Sequence, residues 1–300
     1  MKLGYIGLGK MGLNMVKLLL EKGYTVTAFD KNDSAVREIA QSGAESAISL
    51  QALSSSLDSP RLIWIMVPHS VVDFVLEELV PSLEKGDTVI DGGNSPYKES
   101  IKRAVDLEEK GIDFLDVGVS GGPSGVRSGS CIMVGGKRDI FNKYEKLFKD
   151  LSVENGYGYM GKSGAGHFVK MVHNGIEYGM MQAIAEGFAV MSASPFQLDL
   201  IKIAEVYNHR SVIESRLVGW LRNAFKQYGE RLNDISGSVS HSGEGMWTVE
   251  SAKELGIPVP IIEGALRFRE QSQETPSYTG QALSAMRNQF GGHEVEKKDI

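Results

Sequence analysis

Cysteine is almost absent: the 300 residues contain only Cys131, which excludes an intramolecular disulfide framework and any cysteine cluster for zinc. A reducing compartment is expected. Cys131 lies in a strand-like run and reads as a small buried apolar residue, not a nucleophile. Long apolar runs are also missing, since no stretch reaches the roughly 18 uncharged residues of a membrane span. Met1 leads directly into the strand-like L-G-Y-I-G-L-G without a cationic leader, so a cytoplasmic protein with no membrane partner is expected. Positive charge is not in excess either: Lys+Arg 32 against Asp+Glu 38 gives a net charge of -6. Nucleic acid is therefore a poor partner, and any phosphorylated or carboxylated ligand must be met by locally placed cations, not by a general positive field.

What is present is ordinary globular composition, 42% hydrophobic and 23% charged, in a chain long enough for two packed domains. Short apolar runs alternate with amphipathic stretches at residues 3–6, 11–20, 24–29 and 35–40. The alternation continues through 62–67, 71–79, 88–90, 95–109, 114–117 and 132–134. This is the pattern of a Rossmann-like α/β domain, a doubly wound parallel sheet with helical crossovers. After the Gly-rich G-Y-G-Y-M-G-K-S-G-A-G at 156–166 the signals become helical, which divides the chain into 1–162 and an all-α domain at 163–300. One long helix is predicted over about 167–191, carrying the apolar repeat Val169, Val172, Ile176, Met180, Ile184 and Phe188, and Pro195 stops it. Further helices are predicted at 198–208, 212–226, 248–255 and 261–271, then a polar, Gly-containing tail. Trp64 and Trp220 read as core residues, and Met180 and Met181 as helix packing.

The run G-L-G-K-M-G places Gly7, Gly9 and Gly12 between the first predicted strand and helix, around Leu8, Lys10 and Met11. Gly7 permits the tight turn, Gly9 lets backbone amides approach a pyrophosphate, and Gly12 lets helix and strand pack closely. Asp30 ends the second predicted strand, where a carboxylate accepts hydrogen bonds from the adenosine ribose and repels the extra phosphate of NADP. NAD is the expected cofactor, with NADP possible because Lys31 follows.

In the long helix K-M-V-H-N-G-I-E-Y sets Lys170, Asn174 and Glu177 at spacings of four and three. At about 100° per residue they lie within roughly 60° of one another along one stripe. Lys and Glu at this spacing commonly form a solvated face. Here the helix is otherwise apolar and follows G-A-G at 164–166, so the stripe is expected to face a cleft.

These motifs resemble the short form of decarboxylating 6-phosphogluconate dehydrogenases, within the beta-hydroxyacid dehydrogenase superfamily, over nearly all of the chain. The superfamily pattern is carried by G-L-G-K-M-G, by V-S-G-G-P-S-G-V-R-S-G at 119–129 and by G-x-x-K-x-x-x-N ending at Asn174. The narrower family is carried by D-G-G-N-S at 91–95, H-N-G-I-E-Y at 173–178 and R-N-Q-F-G-G-H at 287–293. The resemblance implies that Lys170 is the general base and Glu177 the general acid, with Asn174 beside them. It implies that Asn94, Ser120, Gly121, Gly122, His173 and Asn174 line a sugar acid. Tyr178, Arg269, Arg287 and His293 would reach its phosphate and distal hydroxyls, and Met66, Val67, Pro68 and Asn94 would touch the cofactor.

The reaction so implied belongs to the pentose phosphate pathway: 6-phosphogluconate is oxidised and decarboxylated to ribulose 5-phosphate, without a metal. The partners implied are a phosphorylated sugar acid and further copies of the chain, as a homodimer or homotetramer whose C-terminal segment enters a partner's cleft. One position departs from the long-form pattern, since Met246 stands where a lysine precedes Trp247 and Thr248. A non-decarboxylating relative, of the 3-hydroxyisobutyrate or tartronate semialdehyde type, would use Lys170 and Asn174 equally but has no need of Glu177, Arg287 or His293. A relative that binds the nucleotide without turnover is the other class.

Overall fold

The computed structural model describes residues 1–240, 243–292 and 295. It forms two compact units, Met1–Lys170 and Met171–Ile300. In chain order the first contains β1 (Lys2–Ile6), α1 (Lys10–Glu21), β2 (Thr25–Phe29), α2 (Asp33–Gln41), β3 (Glu45–Ser46), α3 (Leu50–Ser55), β4 (Leu62–Ile65) and α4 (His69–Leu79). It continues with β5 (Thr88–Asp91), α5 (Tyr97–Glu108), β6 (Asp113–Ser120), α6 (Gly122–Ser128), β7 (Ser130–Gly136), α7 (Arg138–Leu151) and β8 (Ser152–Gly161). The helix α8 (Ala165–Ser192) begins in the first unit and continues into the second. There it is followed by α9 (Leu200–Tyr207), α10 (Arg216–Tyr228), α11 (Glu244–Glu254), α12 (Pro260–Ser272) and α13 (Tyr278–Gly291).

The sheet has the order β3-β2-β1-β4-β5-β6-β7-β8. Its first six strands are parallel, while β7 pairs antiparallel with β6 and β8 pairs parallel with β7, so the last two run against the rest. A parallel strand covered by helices on both faces must be apolar on both, and L-I-W-I of β4 is wholly buried. Leu62 and Trp64 join one core with Leu3, Tyr5 and Phe148; Ile63 and Ile65 join the other with Ile6, Leu53 and Val89. The order reverses between β1 and β4, which opens the crevice where such sheets take ligands.

The first part of the Gly-rich stretch at 156–166 belongs to the edge strand β8. One expectation for this unit is corrected. Cys131 is exposed, because strand alternation buries Ser130 and Ile132 and turns the residue between them outward.

The helical unit closes around Met181, Ala185, Phe188, Leu221, Phe225, Leu283 and Met286. The expected polar tail is mostly a further helix, α13, with Ala282, Leu283, Ala285 and Met286 fully buried. Ser277 caps its first turn and left-handed Gly292 ends it. The buried face of α8 also differs from the expected apolar repeat: Val169, Ile176 and Met180 are exposed, and Met171, Tyr178, Met181, Ala185 and Phe188 are buried. Apolar residues occur on more than one side of this helix, exposed Ile176, Met180 and Val190 as well as buried Met181 and Phe188, so periodicity identified the helix but not its inner face. Among the described residues no helix is long and apolar enough to cross a membrane.

Candidate active site

The loop after β1 carries the geometry its glycines were expected to supply. Gly7 has φ +100°, and a Cβ there would meet the Met66 carbonyl oxygen at 2.2 Å. A Cβ on Gly12 would lie 2.0 Å from the Gly7 carbonyl oxygen, so α1 packs directly on the turn, whereas one on Gly9 would meet nothing within 4 Å. Gly9 is the N-cap of α1, and open space at a helix N-terminus fits a pyrophosphate bound by backbone N–H groups. The Gly7 contacts bring Met66 and Val67 beside this loop, and Pro68 caps α4.

Asp30 has a structural task within the fold. Its Oδ2 accepts the Leu8 backbone N–H at 2.5 Å and its Oδ1 accepts that of Asn32 at 2.8 Å. The carboxylate thus holds the glycine loop. Asn32 caps α2 through Ser34, and the Lys31 ammonium lies 4.9 Å from the centre of the Phe74 ring.

The D-G-G-N-S loop is built from beneath. Asp91 is fully buried and accepts from the Gly93 N–H (3.1 Å), the Ser95 hydroxyl (2.7 Å) and the Arg103 guanidinium (3.2 Å). Arg103 also binds Asp73 at 2.7 Å and Glu99 at 3.0 Å. Desolvation opposes the charge on Arg103 but its carboxylate partners outweigh it, and the pKa is raised. The result is a fixed base under Asn94, which itself is exposed at the loop tip. At the end of β6, Ser120 leads into Gly121 (φ +143°) and Gly122 (φ +67°), backbone angles that exclude most side chains.

On α8 the stripe of Lys170, Asn174 and Glu177 lies on the inner side: Lys170 is 8% exposed, Asn174 is buried, and the Glu177 side chain is partly covered. The same line continues into Met181, Ala185 and Phe188. His173 Nδ1 is 2.9 Å from Asn174 Oδ1, an arrangement in which the imidazole donates and the amide accepts, and 4.0 Å from Glu177 Oε2.

One turn beyond Asn174, Tyr178 is enclosed from two sides. The Arg269 guanidinium stacks 3.4 Å from its ring centroid, and a Cβ on Gly245 would strike the ring at 2.5 Å. Arg269 is 1% exposed, and its Nε and Nη1 have no hydrogen-bond partner among the described residues. Burial lowers its pKa to about 10, with Arg287 acting in the same direction and Tyr178, Glu177 and Glu244 opposing. At neutral pH the group is still a cation, so this is a desolvated positive charge short of partners. Arg287, also buried, lies in the same electrostatic cluster, its pKa lowered by burial against the pull of Tyr178, Glu244 and Glu177; its Nη1 is 3.2 Å from Ser240 Oγ.

Within the chain, Arg287 lies on α13, whose apolar positions Ala282, Leu283, Ala285 and Met286 pack in the helical core. His293 lies outside the described residues. Met246 is 37% exposed and adds no charge to the cluster. The Asp91–Arg103 base, Glu244 and Ser240 were not singled out from the sequence, although a buried Asp ending the apolar strand T-V-I-D was a usable signal.

Residues 2–161 match the NAD binding domain of 6-phosphogluconate dehydrogenase, and residues 166–300 match the 6-phosphogluconate dehydrogenase C-terminal domain. The Bacillus subtilis protein YqeC, whose own assignment as a 6-phosphogluconate dehydrogenase is provisional, is 49% identical over 99% of this chain and 100% of its own length. An NAD(+)-dependent, decarboxylating 6-phosphogluconate dehydrogenase of Haloferax volcanii is 40% identical, with 100% of both chains covered. Among solved structures, Plasmodium falciparum 6-phosphogluconate dehydrogenase superposes with a TM-score of 0.82 at 29% identity, over 91% of this chain and 62% of that one. The glycine loop, the helix of Lys170 and Glu177 and the arginine cluster thus occur in a chain matched along almost its full length, and it belongs to the 6-phosphogluconate dehydrogenase family.

Proposed function

We propose that this protein oxidatively decarboxylates 6-phosphogluconate to ribulose 5-phosphate and carbon dioxide, with NAD as the preferred oxidant. The observation that carries this reading is the buried Arg269 stacked on Tyr178, with buried Arg287 in the same electrostatic cluster, Tyr178 being on the same helix as Lys170 and Glu177. A desolvated guanidinium with unfilled donors is suited to a phosphate, which accepts several charge-assisted hydrogen bonds. A simple hydroxyacid has no such group.

When bound, the nicotinamide accepts the hydride from carbon 3 of the substrate. Lys170, neutral at the start, removes the proton from the carbon 3 hydroxyl and is left as an ammonium against the new carbonyl oxygen. That ammonium polarises the carbonyl while the carbon 1 carboxylate departs as carbon dioxide and its bonding electrons form an enediol. Glu177 then protonates the carbon that held the carboxylate, which becomes carbon 1 of ribulose 5-phosphate. Asn94, Ser120, His173 and Asn174 orient the hydroxyls and carboxylate; Arg269 and Arg287 of one chain hold the phosphate in place of the lysine that Met246 replaces. Asp30 favours NAD because its charge repels a 2′-phosphate. The outward apolar positions Ile176, Met180 and Val190 of α8 suit contact with a second copy of the chain.

The test is to incubate the purified protein with 6-phosphogluconate, 3-hydroxyisobutyrate or glycerate, the alcohol form of tartronate semialdehyde, and either NAD or NADP, following cofactor absorbance and carbon dioxide together. Equal amounts of reduced cofactor and carbon dioxide from 6-phosphogluconate are expected. Cofactor reduction without carbon dioxide would replace this reading by a non-decarboxylating dehydrogenase.

A further inference from the structure

The strand β6 has two unlike faces. Leu115, Val117 and Val119 enter the apolar core, whereas Asp116, Gly118 and Ser120 alternate onto the other face. Asp116 is 0% exposed, and burying a carboxylate is costly unless its oxygens are hydrogen-bonded. Its Oδ1 accepts the Gly164 backbone N–H at 2.7 Å and its Oδ2 accepts that of His167 at 2.9 Å. Both donors belong to the opening turn of α8, where N–H groups have no partner within the helix. A carboxylate from a distant strand therefore caps this helix and also meets the positive end of its dipole.

The helix is pressed directly against the strand. A Cβ on Gly166 would meet the Asp116 carbonyl oxygen at 2.3 Å, and one on Gly135 would meet Asp116 Oδ1 at 2.6 Å. One helical turn after Gly166 comes Lys170, and a Cβ on Gly118 would lie 2.4 Å from the Lys170 Cβ. Two residues along a strand advance about 6.6 Å and one turn of helix about 5.4 Å, so the second contact repeats the first one step on. His167 fastens the same turn to α5, its Nδ1 lying 2.7 Å from Ser100 Oγ.

We propose that Asp116 is a positioning residue for Lys170: its carboxylate pins the first turn of α8 to β6, so that the Lys170 side chain leaves the helix directly over Gly118 at one fixed height. The inference rests on the reading of Lys170 as the base. It assigns the D-V-G-V-S segment a task beyond ending in a substrate loop.

Asp116→Asn keeps the shape but exchanges one acceptor for a donor, and Gly118→Ala leaves the carboxylate intact and disturbs only the Lys170 seat. Both variants and Lys170→Ala should be compared with the unaltered protein by turnover per NADH-binding site, counted by fluorescence titration. A displacement of about 1 Å lowers turnover by roughly 10²-fold, so losses of roughly 10- to 100-fold per site are expected in both variants, with the KM for NAD within about twofold. A purely structural role would reduce the number of binding sites and leave turnover per site unchanged, which would overturn the proposal. Normal turnover per site in Gly118→Ala would also overturn it, and this arm stands even if Asp116→Asn does not fold. Should Lys170→Ala itself keep its turnover, the parent reading falls; should only that variant lose it, the positioning role alone falls.

Discussion

The glycine loop and the arginine cluster present opposite kinds of donor in a chain of net charge -6. At the end of β1 the donors are backbone N–H groups, and the Asp30 carboxylate is bound to that of Leu8. In the helical unit the donors are two buried guanidiniums, one of them 3.4 Å from an aromatic ring and with two nitrogens that have no hydrogen-bond partner among the described residues. Backbone donors carry no net charge, so a loop of this kind adds little electrostatic strain to the folded chain without its ligand. Buried cations do add strain, and gain strength toward phosphate for the same reason. The difference teaches where ligand binding and stability compete: at Arg269, and hardly at all at Gly9.

The sharpest way to break the comparison is Arg269→Leu. The KM for 6-phosphogluconate is expected to rise by roughly 10²-fold or more, since a desolvated charged partner is removed, while the KM for NAD stays near its original value. Folding should respond in the other direction. Replacing a buried charge by an apolar group is neutral or stabilising by about 1–4 kcal/mol, and calorimetry should show an equal or higher Tm. A lower Tm with unchanged KM would make Arg269 a structural residue.

The glycine loop can be divided in the same manner. Gly12→Ala drives a methyl group into the Gly7 carbonyl oxygen and should lower stability by about 1–3 kcal/mol along with NAD affinity. Gly9→Ala has open space, so its melting temperature should stay within a few degrees while the KM for NAD rises, by about tenfold if roughly 1.4 kcal/mol of pyrophosphate contact is lost. Equal melting losses in the two variants would erase the distinction.

A smaller effect is expected from Asp30→Ser. Removing the carboxylate should move the ratio of specificity constants toward NADP by about tenfold, a change of roughly 1.4 kcal/mol. It should also raise the KM for NAD, because the Leu8 N–H loses its acceptor. A protein that already prefers NADP would leave the charge of Asp30 without the assigned role.

The smallest expected signal concerns the origin of the arginine cluster. Arg287 shares an electrostatic cluster with Tyr178 of its own chain. If one chain supplies both groups to a cleft, mixing subunits carrying Lys170→Ala with subunits carrying Arg287→Ala leaves every cleft with one defect, and no activity returns in mixtures shown to exchange subunits. Recovery would mean that the tail completes a partner's site.

How much could be read in advance follows the same division. The nucleotide end was legible because a tight turn, an open N-cap and a close helix contact are demands on single backbone positions, and each demand selects glycine at a fixed spacing. The stripe of Lys170, Asn174 and Glu177 was legible because one helix carries it. The inner face of α8 was not, since apolar residues occur on more than one side and tertiary packing selects which is buried. The helix α13 was not either, since Gln281 and Arg287 interrupt its apolar positions, yet both are buried, one hydrogen-bonded to Ile235 and the other to Ser240.

The sequence by itself determined the α/β half, its glycine loop with Asp30, and the helix that carries the proposed base and acid, because local backbone geometry and helical periodicity act over a few residues at a time. Only the tertiary structure decided that β7 and β8 run against the rest of the sheet, that Asp116 caps a helix starting about fifty residues later, and that Arg269 and Arg287 share one electrostatic cluster with Tyr178. Each of those outcomes depends on which distant backbone groups and side chains are brought together without water, and no local pattern encodes that.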